Sequence, residues 1–369
     1  SFRVERSGQG CRVTGRERLR AILRKQPKDR LAWTTLVDNN TLALLPEHLR
    51  GNGGIDFYKY LGCDIFLLNG WNTPHDLCSP VHQWPESVAV SYEQEGARVT
   101  TRWRTPHGEL TGITRNGHPI KYPVDSIDAV RIYTAMWEGV TFHLFDDRPA
   151  LAALDDLIGE HGVVTRFWGP STIPRLLEQD MGTQHFYYLL ADHPGDMRAL
   201  VRTMHERELE AFKLLAEGPW ESVTLVENTS TFYISPAVYR EFNMPHQRDF
   251  VETVKATGKT ALLHMCGHVH RILDLIGQTG CDGIHALTPP PTGDTPWEDA
   301  LDVLGEDTII FGALDPTIFV AGDVEEIAPS LDRLITPRLR KANFVLCPFA
   351  DGIPVPMERF LAVKEWAGR

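Results

Sequence analysis

Residues 260–267 read Thr-Ala-Leu-Leu-His-Met-Cys-Gly, and this stretch is the most informative part of the chain. Its apolar residues 261–263 predict a short buried strand that ends near His264. Because successive side chains of a strand alternate between its two faces, we expect His264 and Cys266 on the same side. An imidazole and a thiol at one strand end are suitable ligands for a tetrahedral zinc ion. Gly267 then permits a sharp turn of the backbone.

Two further donors follow other predicted strands. Cys347 ends the apolar run 343–347 and is the expected third zinc ligand, while Glu227 follows the strand 222–226. We expect Glu227 to be a fourth ligand or a catalytic carboxylate that faces the substrate; an ordinary turn residue is the alternative. For His264 and the cysteines, the competing interpretation is a hydrogen-bonded core histidine and small buried apolar residues. Two cysteines at strand ends favour the metal site, since functional residues collect at that edge of parallel α/β folds.

The remainder of the chain alternates between strand-like and helix-like segments. This rhythm predicts parallel strands and an α/β fold of the (β/α)8 TIM-barrel type, with residues 1–369 forming a single domain. A doubly wound open sheet is the alternative, but no Gly-rich phosphate loop follows a strand. A helical extension is expected at about residues 1–30, and alternating residues at about 85–120 predict an inserted antiparallel β-hairpin region. The eight predicted barrel strands are residues 31–37, 63–68, 163–168, 222–226, 260–263, 283–287, 308–311 and 343–346.

Four more residues at predicted strand ends could contact a substrate. They are polar or aromatic, and a purely structural role is an equally good interpretation of each. These candidate substrate-binding residues are Asn39, Trp168, His285 and Asp315.

Composition excludes several classes of protein. Lys and Arg total 37 against 49 Asp and Glu, so the formal net charge of −12 argues against non-specific binding to nucleic acid or to an anionic membrane. No run of 18 apolar residues is present and residues 1–6 lack the apolar core of a signal peptide, so we expect a cytoplasmic protein. Six scattered cysteines do not resemble a disulfide framework, and reduced thiols suit metal binding.

At these residues the chain resembles the uroporphyrinogen decarboxylase superfamily, and within it the zinc- and corrinoid-dependent methyltransferases. The resemblance extends from the helix at 14–23 through 234–236 to 312–316, and its most specific part is residues 264–267 followed by Cys347. It implies a (β/α)8 barrel in which His264, Cys266 and Cys347 hold zinc. It also implies methyl transfer between a small methylated substrate, of methoxy, methylamine or thiol type, and a corrinoid (cobalamin) carried on a partner protein. The sequence leaves open whether the chain forms a homo-oligomer.

Two other functions remain alternatives. A metal-free lyase like the decarboxylase is disfavoured. The resemblance to the decarboxylase implies an arginine-rich segment at the first strand, but here that strand is followed by Asp-Asn-Asn at residues 38–40. The other alternative is a non-catalytic barrel that zinc stabilises.

Overall fold

Short apolar segments form a central parallel sheet in the computed structural model, which describes residues 13–69 and 79–369. Fourteen strands are found in this part of the chain, eight of them in the central sheet. In chain order the strands are β1 (Ala32–Trp33), β2 (Ile65–Asn69), β3 (Val81–Gln83), β4 (Ala89–Glu95), β5 (Arg98–Thr105), β6 (Gly108–Arg115), β7 (His118–Lys121), β8 (Thr141–His143), β9 (Gly162–Trp168), β10 (Ser222–Val226), β11 (Thr260–His264), β12 (Gly283–Leu287), β13 (Ile309–Ala313) and β14 (Phe344–Cys347).

The central sheet has the strand order of a TIM barrel. Its neighbours run β1-β14-β13-β12-β11-β10-β9-β2, and every pair is parallel. The two edge strands meet where the Asp64 backbone N–H donates to the Trp33 carbonyl oxygen at 2.8 Å. The predicted TIM-barrel-like α/β fold is therefore confirmed.

Alternating side chains divide the core into two parts. Inward-facing residues such as Phe66, Phe167, Leu262 and Phe311 fill the barrel, and the rings of Phe66 and Phe311 lie 4.3 Å apart. Residues of opposite parity, such as Leu263, pack under the surrounding helices. The sheet is therefore buried on both faces, which is why its strands read as continuous apolar runs.

The helices cover the outside of the barrel. The predicted first helix is present, and its N-cap Thr14 forms a capping box with Glu17. The α-helices are α1 (Gly15–Leu23), α2 (Asn39–Leu44), α3 (Ile55–Leu61), α4 (Ile127–Glu138), α5 (Arg148–Ile158), α6 (Thr172–Arg175), α7 (Gly182–Asp192), α8 (Pro194–Glu217), α9 (Pro236–Val238), α10 (Met244–Lys255), α11 (Leu273–Gly277), α12 (Trp297–Leu304), α13 (Ile327–Leu334), α14 (Pro337–Lys341) and α15 (Met357–Ala367).

Most predicted strand ends lie within two residues of the observed ones, and two differences from the sequence expectation are larger. The apolar pattern over residues 324–339 predicts one continuous helix, and this is wrong, because α13 ends at Leu334 and α14 begins at Pro337. Proline lacks a backbone N–H and disfavours helical geometry in the residue before it, so the chain breaks there. The first barrel strand is also shorter than residues 31–37, since only Ala32 and Trp33 pair with β14.

The inserted antiparallel region is confirmed; the alternating pattern indicates three strands there, and the structure has four. Strands β4 to β7 form a four-stranded meander over residues 89–121. A second small sheet pairs β3 with β8, which the sequence did not reveal. The predicted N-terminal extension lies partly in residues 1–12, outside the described residues. No helix in residues 13–69 or 79–369 is both long enough and apolar enough to cross a membrane.

Candidate active site at the carboxyl ends of the strands

A cavity of about 340 Å³ opens at the carboxyl ends of the barrel strands. Parallel strands deliver the residues that follow them to the same end of a barrel, which is where TIM-barrel enzymes place their active sites. The walls combine apolar side chains with a few polar ones: Leu36, Leu68, Phe167, Val226, Asn228, His264, Cys266, His285, Phe349 and Asp351.

His264 and Cys266 both line this cavity. His264 is the last residue of β11 and has the same parity as Leu262, which faces the barrel interior. Met265 between them is fully buried, and its N–H donates to the His285 carbonyl oxygen at 3.0 Å. The alternation of β11 therefore continues beyond its last residue, and this directs both the imidazole and the thiol to the cavity.

A second imidazole contacts the first. Nδ1 of His264 lies 2.8 Å from Nδ1 of His285, which is the register partner of His264 on β12. Burial lowers the pKa of His264 to about 4 and the pKa of His285 well below its ordinary value, so both rings are neutral at pH 7. One Nδ1 must then carry the shared hydrogen and the other accept it. Behind them Ala286 has φ 66°, an uncommon backbone conformation for a residue with a side chain.

Asn228 lies beside the thiol. Its side-chain oxygen is 3.9 Å from Sγ of Cys266, and its Nδ2 donates to Glu178 at 3.4 Å. Desolvation by the surrounding protein raises the pKa of the Cys266 thiol, although the residue is exposed to solvent at the cavity. Asn228 has φ 41°, a left-handed conformation that asparagine tolerates better than most residues. Asn228 is not among the residues predicted from sequence, although it directly follows Glu227 at a predicted strand end.

Cys347 is the fully buried last residue of β14, where it pairs in register with Ala313. It has the same strand parity as Val345, whose side chain lies in the barrel interior. Burial raises the pKa of its thiol to about 12. In residues 13–69 and 79–369, no three His, Cys, Asp or Glu side chains converge closely enough to hold a metal ion. The donor types of His264, Cys266 and Cys347 suit zinc, but the three are not assembled as one cluster here.

The carboxylate of Glu227 is engaged on the helix side of the barrel wall. It accepts hydrogen bonds from Oγ of Ser171 at 2.5 Å and from Nε2 of Gln247 at 2.7 Å. The Tyr239 hydroxyl in turn donates to Gln247. Burial raises the pKa of Glu227 to about 7, against these hydrogen bonds, which lower it. Val226 lines the cavity, so the alternation along β10 gives Glu227 the opposite direction.

Of the four predicted substrate-binding residues, His285 lines the cavity. Asn39 is an exposed residue at the start of α2. The buried Trp168 donates its Nε1–H to the Pro80 carbonyl at 2.7 Å and packs among the outer core residues.

Asp315 holds two loops together. It accepts hydrogen bonds from the backbone N–H groups of Thr292 and Thr317, each at 2.8 Å. Burial would raise its pKa, but the hydrogen bonds from Thr317 and Thr292 outweigh burial and lower it. Its carboxylate therefore connects the segment after β12 with the end of β13.

Three comparisons with known proteins agree with this architecture. The chain is 25% identical over 327 residues to the methylcobamide:CoM methyltransferase MtbA of Methanosarcina acetivorans, covering 87% of this chain and 89% of that protein. The solved structure of a methyltransferase from Methanosarcina mazei superposes with a TM-score of 0.59 at 14% identity, covering 96% of this chain and 98% of the other. At 14% identity, the similarity to this solved structure is evidence for the fold alone. A sequence model of the uroporphyrinogen decarboxylase (URO-D) family matches residues 153–358, more than half of the 369 residues. The chain belongs to the URO-D family.

Proposed function

We propose that this protein is a zinc-dependent methyltransferase that moves a methyl group between a small methylated substrate and a corrinoid carried on a partner protein. The observation that carries the proposal is the pairing of His264 and Cys266 at the cavity, in a chain that is 25% identical to a methylcobamide:CoM methyltransferase over 87% of its length. An imidazole and a thiolate at a barrel mouth are donors that a catalytic zinc ion uses.

We assign zinc binding to His264, Cys266 and Cys347. Glu227 can act as the predicted fourth ligand only if its carboxylate first leaves Ser171 and Gln247 to reach an ion at the cavity, so the other three residues are expected to retain zinc without it. A bound zinc ion would supply Lewis acidity and would keep sulfur ligands deprotonated. Because burial raises the pKa of both thiols, the metal-free cysteines are protonated at neutral pH, and zinc binding must release their protons.

The neighbouring residues orient the proposed ligands. His285 occupies Nδ1 of His264, which leaves the other ring nitrogen of His264 for the metal. Asn228 lies against the Cys266 thiol. Apolar walls, including Leu36, Leu68 and Val226, limit the number of water molecules that can compete for the substrate.

The runner-up, a metal-free lyase that acts on a polycarboxylate, has less support. Such a substrate needs several cations, yet residues 34–49 and 70–97, which follow the first two barrel strands, contain no Lys or Arg. The cavity likewise weighs against a purely structural zinc site, because a closed structural site needs no open space beside it.

Elemental analysis of metal content tests the proposal. We expect about one zinc ion per chain in the wild-type protein, loss of zinc in Cys266→Ser and Cys347→Ser, and retention in Cys281→Ser, whose cysteine lies outside the proposed site. A parallel assay would follow methylation of a reduced corrinoid protein by its absorbance, with methoxy, methylamine and methylthiol donors. Folded wild-type protein that takes up no zinc would overturn the proposal.

A further inference from the structure

The loops around the cavity carry few cations. Residues 34–49, 79–97, 288–308, 314–332 and 348–358, which belong to segments after five of the eight barrel strands, contain no Lys or Arg. The first Lys or Arg after β9, β10 and β11 is Arg175, Arg240 and Arg271, respectively. Arg175 lies over the ring of Trp137, and the other two are exposed. The residues named above as walls of the cavity also include no Lys or Arg.

Carboxylates occupy the same region. Asp351 lines the cavity, and its loop is tied down by Asp38, which accepts a hydrogen bond from the Gly352 N–H at 2.9 Å. Glu178 lies behind the cavity wall, where Asn228 donates to it. These groups give the cavity a negative potential, which an apolar wall strengthens because it holds little water to screen the charge.

Two aromatic rings complete the walls. Phe167 and Phe349 both line the cavity, and the ring of Phe167 meets His264 edge to face at a centroid distance of 5.2 Å. Aromatic faces attract alkylated ammonium ions through their ring quadrupole.

One side chain of the cavity wall has an unpaired nitrogen. Within the described residues, Nε2 of His285 has no hydrogen-bond partner, and this side chain is only 1% exposed. Because buried polar atoms are nearly always paired, a ligand or a water molecule is expected at this nitrogen.

We infer that the cavity selects a small methylated ammonium ion over an anionic substrate. The inference rests on the proposed function and narrows its substrate to the cationic class. An ammonium ion gains from Asp351 and from the rings of Phe167 and Phe349, whereas a sulfonate or carboxylate would meet these same groups without a compensating cation.

Methyl transfer from such an ion balances without an added proton. The C–N bond breaks and its electron pair stays on nitrogen, so the ammonium ion leaves as a neutral amine. The methyl group forms its new bond with the electron pair of the reduced corrinoid on the partner protein. No oxidant is consumed, and the departing amine needs no acid beside it.

Calorimetric titration of the whole protein with unreactive probes tests this selectivity. The probes are tetramethylammonium, methanesulfonate and neutral tert-butanol, which are similar in size. We expect tetramethylammonium to bind at least about tenfold more tightly than methanesulfonate, and to lose affinity between low and high salt. Equal or tighter binding of methanesulfonate would overturn the inference, and this comparison needs no variant.

Variants that remove single carboxylates then test which of them attracts the ammonium ion. Asp351→Asn should weaken tetramethylammonium binding about tenfold, and Glu178→Gln should weaken it by a smaller factor because it lies farther back. The matched controls Asp156→Asn and Glu210→Gln, which remove exposed carboxylates from α5 and α8, should bind as the wild type does. Wild-type affinity in Asp351→Asn would contradict the assignment.

The binding assay separates this inference from the proposed function. Ammonium selectivity without methyl transfer from any donor would refute the methyltransferase and leave the cationic cavity standing. Demethylation of a neutral methoxy donor by protein that does not bind tetramethylammonium would refute the cationic substrate and leave the methyltransferase standing.

Discussion

His264 and His285 share one hydrogen between their Nδ1 atoms at 2.8 Å, across neighbouring strands of the barrel. The ring of His285 is held in turn by Phe311, at a centroid distance of 5.3 Å. These contacts hold the ring of His264 in one orientation, and in the tautomer that carries the shared hydrogen on His264 its other nitrogen keeps the lone pair that a metal ligand requires.

Replacing His285 should therefore weaken zinc binding without removing a proposed ligand. We expect His285→Leu to lower zinc affinity by about 10- to 100-fold, as measured by competition with a chelator. His270→Gln, which changes an exposed histidine paired with Asp299, serves as the control and should bind zinc normally. Unchanged affinity in His285→Leu would show that the histidine pair does not support the metal.

Glu227 offers a direct test of the ligand set. Because Ser171 and Gln247 already occupy its two oxygens, we expect Glu227→Gln to keep the zinc content of the wild type. The matched control is Glu208→Gln, another buried carboxyl, which accepts from the Thr172 hydroxyl at 2.9 Å. Zinc loss in Glu227→Gln alone would establish Glu227 as the fourth ligand that the sequence predicts.

A buried ion pair supports the junction between β1 and β2. Nη1 of Arg18 lies 2.5 Å from Oδ1 of Asp64, and the Trp33 N–H donates to Oδ2 of Asp64 at 3.3 Å. Arg18 keeps Asp29 as a second partner at 2.6 Å, so Asp64→Asn removes hydrogen bonds to a charged group without leaving Arg18 unpaired, and should lower the free energy of unfolding by about 2 kcal/mol. The control Asp155→Asn, whose carboxylate is 48% exposed, should cost less than about 1 kcal/mol in the same denaturant titration. Equal losses in both variants would argue against a special role for the junction.

Two stacked histidines between α8 and α10 should make the fold sensitive to acid. The rings of His205 and His246 lie 3.5 Å apart, and His205 also bonds Asp249 at 2.6 Å. Burial lowers the pKa of both rings, although Asp249 and the nearby Glu206 oppose this for His205, whereas the unfolded chain keeps a pKa near 6.5. The unfolded state therefore binds protons first, so their stabilising contribution is complete above pH 6.5 and is lost as the pH falls.

The expected size of this effect is measurable. For His246 the loss reaches about 1.4 kcal/mol at pH 5.5 relative to pH 8. Urea unfolding at both pH values measures the difference in the free energy of unfolding. This difference should be smaller in His246→Gln than in the wild type, and unchanged in the control His107→Gln, which lies in an exposed turn. An identical pH dependence in wild type and His246→Gln would exclude the histidine pair as its source.

Several predictions from sequence rest on strong local signals. The strands Ser222–Val226 and Gly283–Leu287 have the bounds that their apolar patterns indicated. Such segments are buried on one or both faces, so tertiary contacts and local preference agree. The break before Pro337 carried an equally local signal, which the longer apolar pattern around it obscured.

The cavity residues carried weaker signals. Asn228, Phe349 and Asp351 lie in segments after strands, where side-chain direction follows no period. Phe167 was visible as an apolar strand residue, but whether it faced the barrel interior or the helices depended on the parity of β9. The direction of Glu227 depended in the same way on the parity of β10.

The sequence by itself determined the order of strands and helices, the inserted meander and the placement of His264 and Cys266 on one face, because these follow from periodicities of a few residues. Tertiary structure alone decided that His285 pairs with His264, that Glu227 bonds Ser171 and Gln247, and that Asp351 reaches the cavity. Those relationships join residues far apart in the chain, and their geometry is set by the register and closure of the barrel, which no local pattern encodes.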